Sequence, residues 1–277
     1  MPREATQART VTIRGVEVPK LGYGTWLVEG EAAYEGVLDA LDLGYRHLDT
    51  AHAYGNEREV GRALADSGLR RDEVWLTTKV WRDDAAAGDV QRVFAQQLAD
   101  LGVDYVDLLL LHWPADPPLV QTLGAMEELR EQGVVRHVGV SNFPSGLLRQ
   151  ALELAPIFTD QIEYHPYLPQ GPVMHECLEH DMLLTAYSPF AHGHVHDDPL
   201  LARIGARHGK SAGQVALRWL LDQPNVAAIP KASSRARRAE NLDVFDFALD
   251  DDERAAIAAC SRRHLRTADP PWAPRWD

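Results

Sequence analysis

The sequence predicts a closed (β/α)8 barrel, the TIM-barrel fold, in which eight parallel strands alternate with helices. Apolar strand-like runs alternate with amphipathic helical stretches along nearly all of the 277 residues. Strands such as 106–111 are continuously apolar, which is typical of a parallel sheet covered on both faces. An open doubly wound sheet is the alternative, but its nucleotide-binding motif is incomplete. Gly22-Tyr23-Gly24 begins a G-x-G, and Leu27 stands where the third glycine is needed.

The predicted elements follow one another in a regular order. Residues 10–19 predict an N-terminal β-hairpin that turns at Arg14-Gly15. The eight predicted strands cover 21–25, 45–49, 74–80, 106–112, 135–141, 158–164, 183–188 and 225–230. Helices are predicted over 31–43, 56–66, 87–101, 119–132, 145–154, 172–181 and 211–222, with extra C-terminal helices over 233–241 and 250–260. Gly44, Gly102 and Gly133 follow three of the helices at positions that need a left-handed cap.

The chain shows no low-complexity linker and no shift in composition, so residues 1–277 are expected to form one domain. The Pro- and Trp-rich tail, residues 266–277, is expected to lie over another part of the protein without forming an element. Hydrophobic residues make up 45% of the chain, which is enough for a large core.

The composition excludes several classes of function. A formal net charge of −13 argues against nucleic acid or an anionic membrane as a partner. The cysteines, Cys177 and Cys260, lie far apart in helical patterns, which argues against a disulfide framework or a thiolate zinc site. The sequence has no apolar run as long as a membrane span and no apolar N-terminal signal segment. We therefore expect a soluble, cytoplasmic protein without a metal site.

Four chemically active residues fall where predicted strands end. Asp49 ends the second strand and Tyr54 follows on its loop, while Lys79 and His112 end the third and fourth strands. In a barrel of this type the catalytic groups lie at the C-terminal mouth. Taken singly, an Asp, a Tyr or a His here could serve structure alone. A lysine at the end of an apolar strand is harder to explain without a partner.

Together these residues predict a catalytic site that donates a proton to an oxygen atom that gains negative charge. A free tyrosine has a pKa of about 10 and holds its proton too tightly for fast donation at neutral pH. The Lys79 ammonium is expected to lower the pKa of Tyr54, and Asp49 to keep Lys79 charged. His112 is expected to hydrogen-bond the substrate oxygen.

Several motifs in order make the chain similar to the aldo-keto reductase superfamily, in particular to bacterial 2,5-diketogluconate reductase-like members. The motifs are DTAHAYGNE, TTKV, LLLLHWP, GVSNF, QIEYHPY, AYSPF and IPKASSRARRAEN. The resemblance implies that Asp49, Tyr54, Lys79 and His112 form a catalytic tetrad with Tyr54 as general acid. It also implies a monomer that binds NADPH in an extended form and reduces small carbonyl compounds.

The resemblance further implies a set of cofactor-binding residues. Ser141, Asn142 and Gln161 would bind the carboxamide, and Tyr187 would stack on the nicotinamide. Ser188 and Phe190 would lie near the pyrophosphate, while Thr25 and Trp26 would lie beside the ring. The nearby histidines His192, His194 and His196 are interpreted as part of a mobile loop over the cofactor and not as a metal site.

The segment 231–241 is the concentrated positive patch of this acidic sequence. It leads into a predicted helix N-terminus, where backbone N–H groups and the helix dipole favour a phosphate. Lys231, Ser233, Ser234 and Arg237 lead into this N-terminus and are expected to bind the cofactor there. The resemblance assigns Lys231 and Arg237 to the adenosine 2′-phosphate, and Glu240 and Asn241 to the adenine. Many relatives carry Ser where this chain has Ala232, so one hydroxyl that would bind the phosphate is lost. NADPH is the expected cofactor, with NADH also used at lower preference.

The main hypothesis is therefore NADPH-dependent reduction of aldehydes and ketones, and two alternatives stay open. Trp26, Trp81, Trp113 and Trp272 are expected to line the substrate pocket, which should be open because the interval after His112 is short. One alternative is an NADP(H)-binding sensor or regulatory subunit with little activity. The other is an aldolase that forms a Schiff base on Lys79.

Overall fold

The computed structural model describes residues 9–277 and contains one eight-stranded parallel sheet and one two-stranded hairpin. The strands are β1 (Thr10–Ile13), β2 (Val16–Pro19), β3 (Tyr23–Gly24), β4 (His47–Asp49), β5 (Trp75–Val80), β6 (Val106–Leu111), β7 (Val135–Ser141), β8 (Thr159–Glu163), β9 (Leu183–Tyr187) and β10 (Val226–Ala228). The helices are α1 (Gly30–Leu43), α2 (Glu57–Asp66), α3 (Ala87–Leu101), α4 (Leu119–Glu131), α5 (Ser145–Leu154), α6 (Gly171–Glu179), α7 (Pro199–His208), α8 (Ala212–Leu221), α9 (Arg235–Leu242) and α10 (Asp251–Ala258).

Strands β3 to β10 lie side by side in chain order, and all seven pairings are parallel. A parallel bridge between Leu21 and Ala228 joins the first of these strands to the last. The bridge is extended by hydrogen bonds from the Gly22 and Gly24 amides to the carbonyls of Ala228 (2.8 Å) and Pro230 (3.2 Å). The sheet therefore closes, and the predicted (β/α)8 barrel is confirmed.

The incomplete G-x-G at residues 22–24 is explained by this closure. A Cβ atom at Gly24 would lie 2.7 Å from the carbonyl oxygen of Ile229, and one at Gly22 would lie 2.8 Å from the Ile229 side chain. Real Cβ atoms do not approach a backbone oxygen so closely, so Gly24 needs to be glycine, and at Gly22 the Ile229 and His47 side chains would have to shift. These glycines serve the packing of one strand against another.

The N-terminal hairpin covers one end of the barrel. Ile13 and Val18 of the hairpin form a buried cluster with residues that begin strands or precede them, including Trp75, Phe158 and Leu183. These residues mark the N-terminal ends of the strands. The hairpin therefore closes the bottom of the barrel and leaves the C-terminal mouth for a site.

The structure differs from the sequence prediction mainly at α7, which was not predicted. The signals for it are present: Asp198 caps the helix by accepting hydrogen bonds from the Leu200 and Leu201 amides, and Pro199 occupies its first turn. Gly209 ends it with a left-handed cap at φ 67°. The predicted left-handed glycines are confirmed, since Gly44, Gly102 and Gly133 all have positive φ.

Within residues 9–277, no helix is both long enough and apolar enough to cross a bilayer. The helices pack their apolar faces on the barrel, where the main core cluster lies.

Candidate active site at the barrel mouth

The four residues predicted to act together lie together at the C-terminal mouth. Asp49 is the last residue of β4, and Lys79 lies one residue before the end of β5. Tyr54 ends a single 3-10 turn, His52–Tyr54, that follows β4, and His112 directly follows β6. Neighbouring parallel strands thus bring all four to one edge of the sheet.

Lys79 forms the centre of the group. Its side chain is 0% exposed, and its Nζ donates to Asp49 Oδ1 at 2.5 Å, to the Thr50 carbonyl at 2.8 Å and to the Tyr54 hydroxyl at 3.3 Å. An ammonium has three protons, so these three acceptors use all of them. A Schiff base would require the same nitrogen to give up its proton and reach a substrate carbon. The geometry therefore disfavours the aldolase alternative.

Asp49 is held from a second side. Its Oδ2 accepts a hydrogen bond from Gln161 Nε2 at 2.7 Å, and its carbonyl oxygen accepts one from the Thr25 hydroxyl at 3.1 Å. Both carboxylate oxygens are therefore partnered. Because Asp49 is buried and cannot rotate without losing one of these bonds, it fixes the position of Lys79.

The prediction about the pKa of Tyr54 is wrong for this structure. Burial raises the pKa of Tyr54 well above its usual value, and the nearby Asp49 carboxylate raises it further. The Lys79 ammonium does not offset these two effects, because it lies closer to Asp49 (2.5 Å) than to the Tyr54 hydroxyl (3.3 Å). Tyr54 is therefore a neutral phenol at physiological pH, with its proton available to an acceptor that becomes strongly basic.

His112 is neutral as well. Burial, followed by the positive charge of Lys79, lowers the pKa of His112 well below its usual value. Its ring packs edge-on against the rings of Tyr54 (5.5 Å between centroids) and Trp81 (5.2 Å). Its Nδ1 atom is buried with no hydrogen-bond partner within residues 9–277. A neutral imidazole in this position can donate one hydrogen bond without carrying a charge.

A polar network lies beside this group and includes predicted cofactor residues. Tyr187 donates to Asn142 Oδ1 at 2.6 Å, and Asn142 Nδ2 donates to the His112 carbonyl at 3.0 Å. Ser141 donates to the Gln161 carbonyl at 2.7 Å. Asn142 has a φ of 65°, in the left-handed region that Asn tolerates better than most residues. The network holds Tyr187 and the end of β7 in fixed relation to Asp49.

These residues open into a cavity of about 770 Å³ that runs across the mouth. The predicted site residues that line the cavity are Trp26, Asp49, Tyr54, Trp81, His112, Trp113, Ser141, Asn142, Gln161, Tyr187, Ser188, Phe190, Lys231 and Arg237. The cavity therefore extends from the tetrad to two exposed cations. Lys79 and Thr25 are buried and do not line the cavity. Lys79 lies behind Asp49 and Tyr54, to which it is hydrogen-bonded and which do line it.

Several predicted binding residues do not line this cavity. Ser233 and Ser234 lie at the start of α9, where Ser234 caps the helix by accepting from the Arg237 amide at 3.4 Å. Glu240 of α9 accepts a hydrogen bond from Ser211, and Asn241 of the same helix is buried. The reason is helical periodicity: the positions that follow the first turn of α9 point back to the barrel or to α8. Trp272 also lies outside the lining and instead packs on Trp81, with 6.4 Å between ring centroids.

The loop between β9 and α7, predicted to lie over the cofactor, forms part of the cavity wall. His192 and His196 line the cavity, and His192 stacks on Trp26 at 5.8 Å. His196 packs against Phe190 at 5.0 Å. Among residues 9–277, no group of three His, Cys, Asp or Glu side chains is arranged to hold a metal ion.

The tail, residues 266–277, forms a further part of the cavity wall. The sequence predicts only that it lies over another part of the protein. Thr267, Ala268, Asp269 and Pro270 line the cavity. Their anchor is Glu163, the last residue of β8, which accepts hydrogen bonds from the Thr267 and Ala268 amides. Glu163 stands at a predicted strand end within QIEYHPY, but no local sequence pattern links it to the tail.

The closed barrel with polar and titratable groups at its C-terminal mouth is the arrangement of a barrel enzyme. The comparisons with known proteins agree and are more specific. The profile of the aldo/keto reductase family matches residues 20–262, so the chain belongs to that family. It is an oxidoreductase that acts on carbonyl groups.

Individual relatives cover nearly the whole chain. A solved structure of a candidate 2,5-diketo-D-gluconic acid reductase B is 45% identical, covers 98% of both chains and superposes with a TM-score of 0.96. An aldo-keto reductase of Mycolicibacterium smegmatis is 38% identical over 260 residues, which is 92% of this chain and 94% of the relative. Glyoxal reductase of Bacillus subtilis is 39% identical over 251 residues, which is 90% and 91% of the two chains.

Proposed function

We propose that this protein is an NADPH-dependent reductase of aldehydes and ketones, with Tyr54 as general acid. The observation that carries the proposal is one cavity with the tetrad at one end and the cations Lys231 and Arg237 at the other. None of the described carboxylates pairs with either cation, whereas Arg235 on the same helix is bound by Asp39 and Asp42. These two cations fit a phosphate of a dinucleotide, and the neutral phenol across the same cavity fits a carbonyl oxygen.

The residues fit the cofactor as follows. Tyr187 supplies a ring face, while Ser141, Asn142 and Gln161 supply side-chain amide and hydroxyl groups in the same wall. Lys231 and Arg237 would hold the 2′-phosphate, with charge-assisted hydrogen bonds. When bound, the reduced nicotinamide supplies the hydride.

Tyr54 and His112 would act on the carbonyl oxygen. The two rings lie 5.5 Å apart, so one oxygen can accept hydrogen bonds from both. As negative charge develops on that oxygen, the Tyr54 hydroxyl gives up its proton to it. Lys79, 3.3 Å from the same hydroxyl, then stabilises the phenolate. Asp49 keeps the ammonium in place throughout.

The aromatic walls formed by Trp26, Trp81 and Trp113 favour small aldehydes and α-keto or sugar carbonyl compounds. The names of the relatives point to such substrates as well, since one is a glyoxal reductase. The whole chain would act as one barrel domain and as a monomer, because a single chain supplies both ends of the cavity. Its proposed location is the cytoplasm. Light scattering on the purified protein tests the monomer.

The experiment is oxidation of NADPH with a panel of aldehydes, compared with NADH. Tyr54→Phe is expected to lower kcat by at least about 100-fold, the usual scale for loss of a general acid. Tyr34→Phe is the matched control, because Tyr34 donates to Asp66 on the surface and does not line the cavity. Equal rates for wild type and Tyr54→Phe, or a wild type that turns over no aldehyde, would refute the proposal.

A further inference from the structure

Glu163 is a buried carboxylate that the proposed mechanism does not use. It ends β8, its side chain is 0% exposed, and four hydrogen-bond donors converge on it. Oε1 accepts from the Thr267 amide (2.7 Å), the Thr267 hydroxyl (2.6 Å) and the His165 ring (2.9 Å). Oε2 accepts from the Ala268 amide at 2.8 Å.

The histidine in this cluster has a defined tautomer. The Tyr167 amide donates to His165 Nδ1 at 3.3 Å, so Nδ1 is the accepting nitrogen. The proton therefore sits on Nε2, which donates it to Glu163. All four contacts to Glu163 are thus donors, and a charged carboxylate is the group that satisfies them.

Two of the four donors are backbone amides of the tail at the cavity wall. Thr267 and Ala268 line the cavity together with Asp269 and Pro270. Farther along the same tail, Trp272 packs on Trp81 (6.4 Å between ring centroids) and Trp276 on Trp113 (6.2 Å), so the tail lies beside the aromatic wall. The tail is tied down independently on either side of this segment. Arg263 pairs with Asp198 at 2.9 Å, and the Asp277 side chain accepts from the Ser145 amide at 2.8 Å.

We propose that Glu163 is a positioning residue that fixes segment 267–270 as a wall of the carbonyl-binding end of the cavity. Loss of the Glu163 carboxylate would free this segment while both outer anchors keep the tail on the barrel. The effect would then be on the fit of the carbonyl substrate. Cofactor binding at Lys231 and Arg237 would not change, because those residues lie at the other end of the cavity. The part of the proposal that concerns substrate rests on the proposed function.

The test is Glu163→Gln. Glutamine keeps the shape, but in either orientation its amide N–H₂ faces a donor that the carboxylate had satisfied. Glu176→Gln is the matched control, since Glu176 is also buried and accepts from Arg149 at 2.6 Å but has no hydrogen bond to segment 267–270. Thr267→Val removes one donor to Glu163 and leaves the carboxylate in place. It therefore tests the same proposal if Glu163→Gln does not fold.

Two readouts separate anchoring from catalysis. Hydrogen–deuterium exchange of the Thr267 and Ala268 amides is expected to be about tenfold faster in Glu163→Gln, as expected for loss of one hydrogen bond to a charged group. The KM for a small aldehyde is expected to rise about tenfold for the same reason, with kcat and the Kd of NADPH unchanged. Thr267→Val is expected to change both quantities in the same direction and by less.

Unchanged exchange and KM in Glu163→Gln, or equal changes in Glu176→Gln, would overturn the proposal. Faster exchange with an unchanged KM would overturn the role of the segment in substrate fit. A wild-type protein that reduces no carbonyl compound would refute the proposed function, and the exchange comparison would still decide whether Glu163 anchors the tail.

Discussion

At Lys79 the chain buries an ammonium group at the end of an apolar strand, and Asp49 is what makes this possible. Burial lowers the pKa of Lys79, while the charge of Asp49 and its hydrogen bond raise it. Removing one partner of a buried pair leaves an uncompensated charge. The stability of the barrel at its C-terminal mouth therefore depends on Lys79 and Asp49 both being present.

Asp49→Asn is expected to lower the free energy of unfolding by about 3 kcal/mol, because it leaves the Lys79 ammonium buried without a counter-charge. Urea unfolding measures this quantity. Glu31→Gln is the control, since the Glu31–Arg62 pair is 63% and 49% exposed, and such surface pairs contribute at most about 1 kcal/mol. Equal losses in the two variants would contradict the assignment of a buried pair.

His112 gives a pH dependence whose sign follows from its lowered pKa. Below about pH 6.5 the unfolded chain binds a proton at this position and the folded chain does not, so stability falls as pH falls toward the folded pKa. When the pH is lowered from about 7.5 to about 5.5, the free energy of unfolding of His112→Gln should therefore fall by about 1 kcal/mol less than that of wild type. Urea unfolding at the two pH values measures the difference. Identical pH dependence would show that His112 is protonated equally in both states.

At the residue scale, the sequence could predict which groups meet at the mouth but not how their charges interact. Asp49, Tyr54, Lys79 and His112 follow strands, and parallel strands bring their ends together. The pKa of Tyr54 is raised first by burial and then by the Asp49 carboxylate, to which Lys79 lies 0.8 Å closer than to the phenol, with contacts of 2.5 and 3.3 Å. Such a difference arises from packing and is not encoded in any local pattern.

Among the elements, β3 is short and depends on glycine to close the barrel. Gly24→Ala would place a methyl group 2.7 Å from the Ile229 carbonyl oxygen, which is backbone and cannot rotate away. The expected cost is about 1–3 kcal/mol of unfolding free energy. Gly124→Ala is the matched control, because Gly124 lies inside α4 with nothing within 4 Å of an added Cβ, and it should stabilise by roughly 0.5–1 kcal/mol. Thermal or urea unfolding of both variants tests the prediction, and destabilisation by both would argue against the closure contact.

The two elements that differ most in predictability are α7 and the tail. Helix α7 carries local signals, Asp198, Pro199 and Gly209, so its position is encoded in the sequence near it. The tail carries none, because its position depends on contacts with distant residues. Glu163 lies 104 residues before Thr267, to which it is hydrogen-bonded. Only tertiary structure can reveal such a contact.

Over the whole molecule, a net charge of −13 opposes the approach of a dinucleotide phosphate. The chain offsets this locally by leaving Lys231 and Arg237 at the cavity without acidic partners among residues 9–277, while Arg235 and Arg238 on α9 are bound by Asp39. The choice between NADPH and NADH should therefore depend on Arg237 and not on the overall charge of α9.

Arg237→Ala is expected to weaken NADPH binding about tenfold, the effect of losing a charge-assisted hydrogen bond to the 2′-phosphate. NADH lacks that phosphate, so its affinity should not change. Arg235→Ala removes the same charge from the same helix, but its guanidinium already pairs with Asp39 and Asp42, so it should leave both affinities unchanged. Fluorescence titration with each cofactor measures the four values. If the two arginine variants weaken NADPH equally, or if Arg237→Ala weakens NADH as much as NADPH, binding depends on the summed charge of the patch and not on a phosphate contact at Arg237.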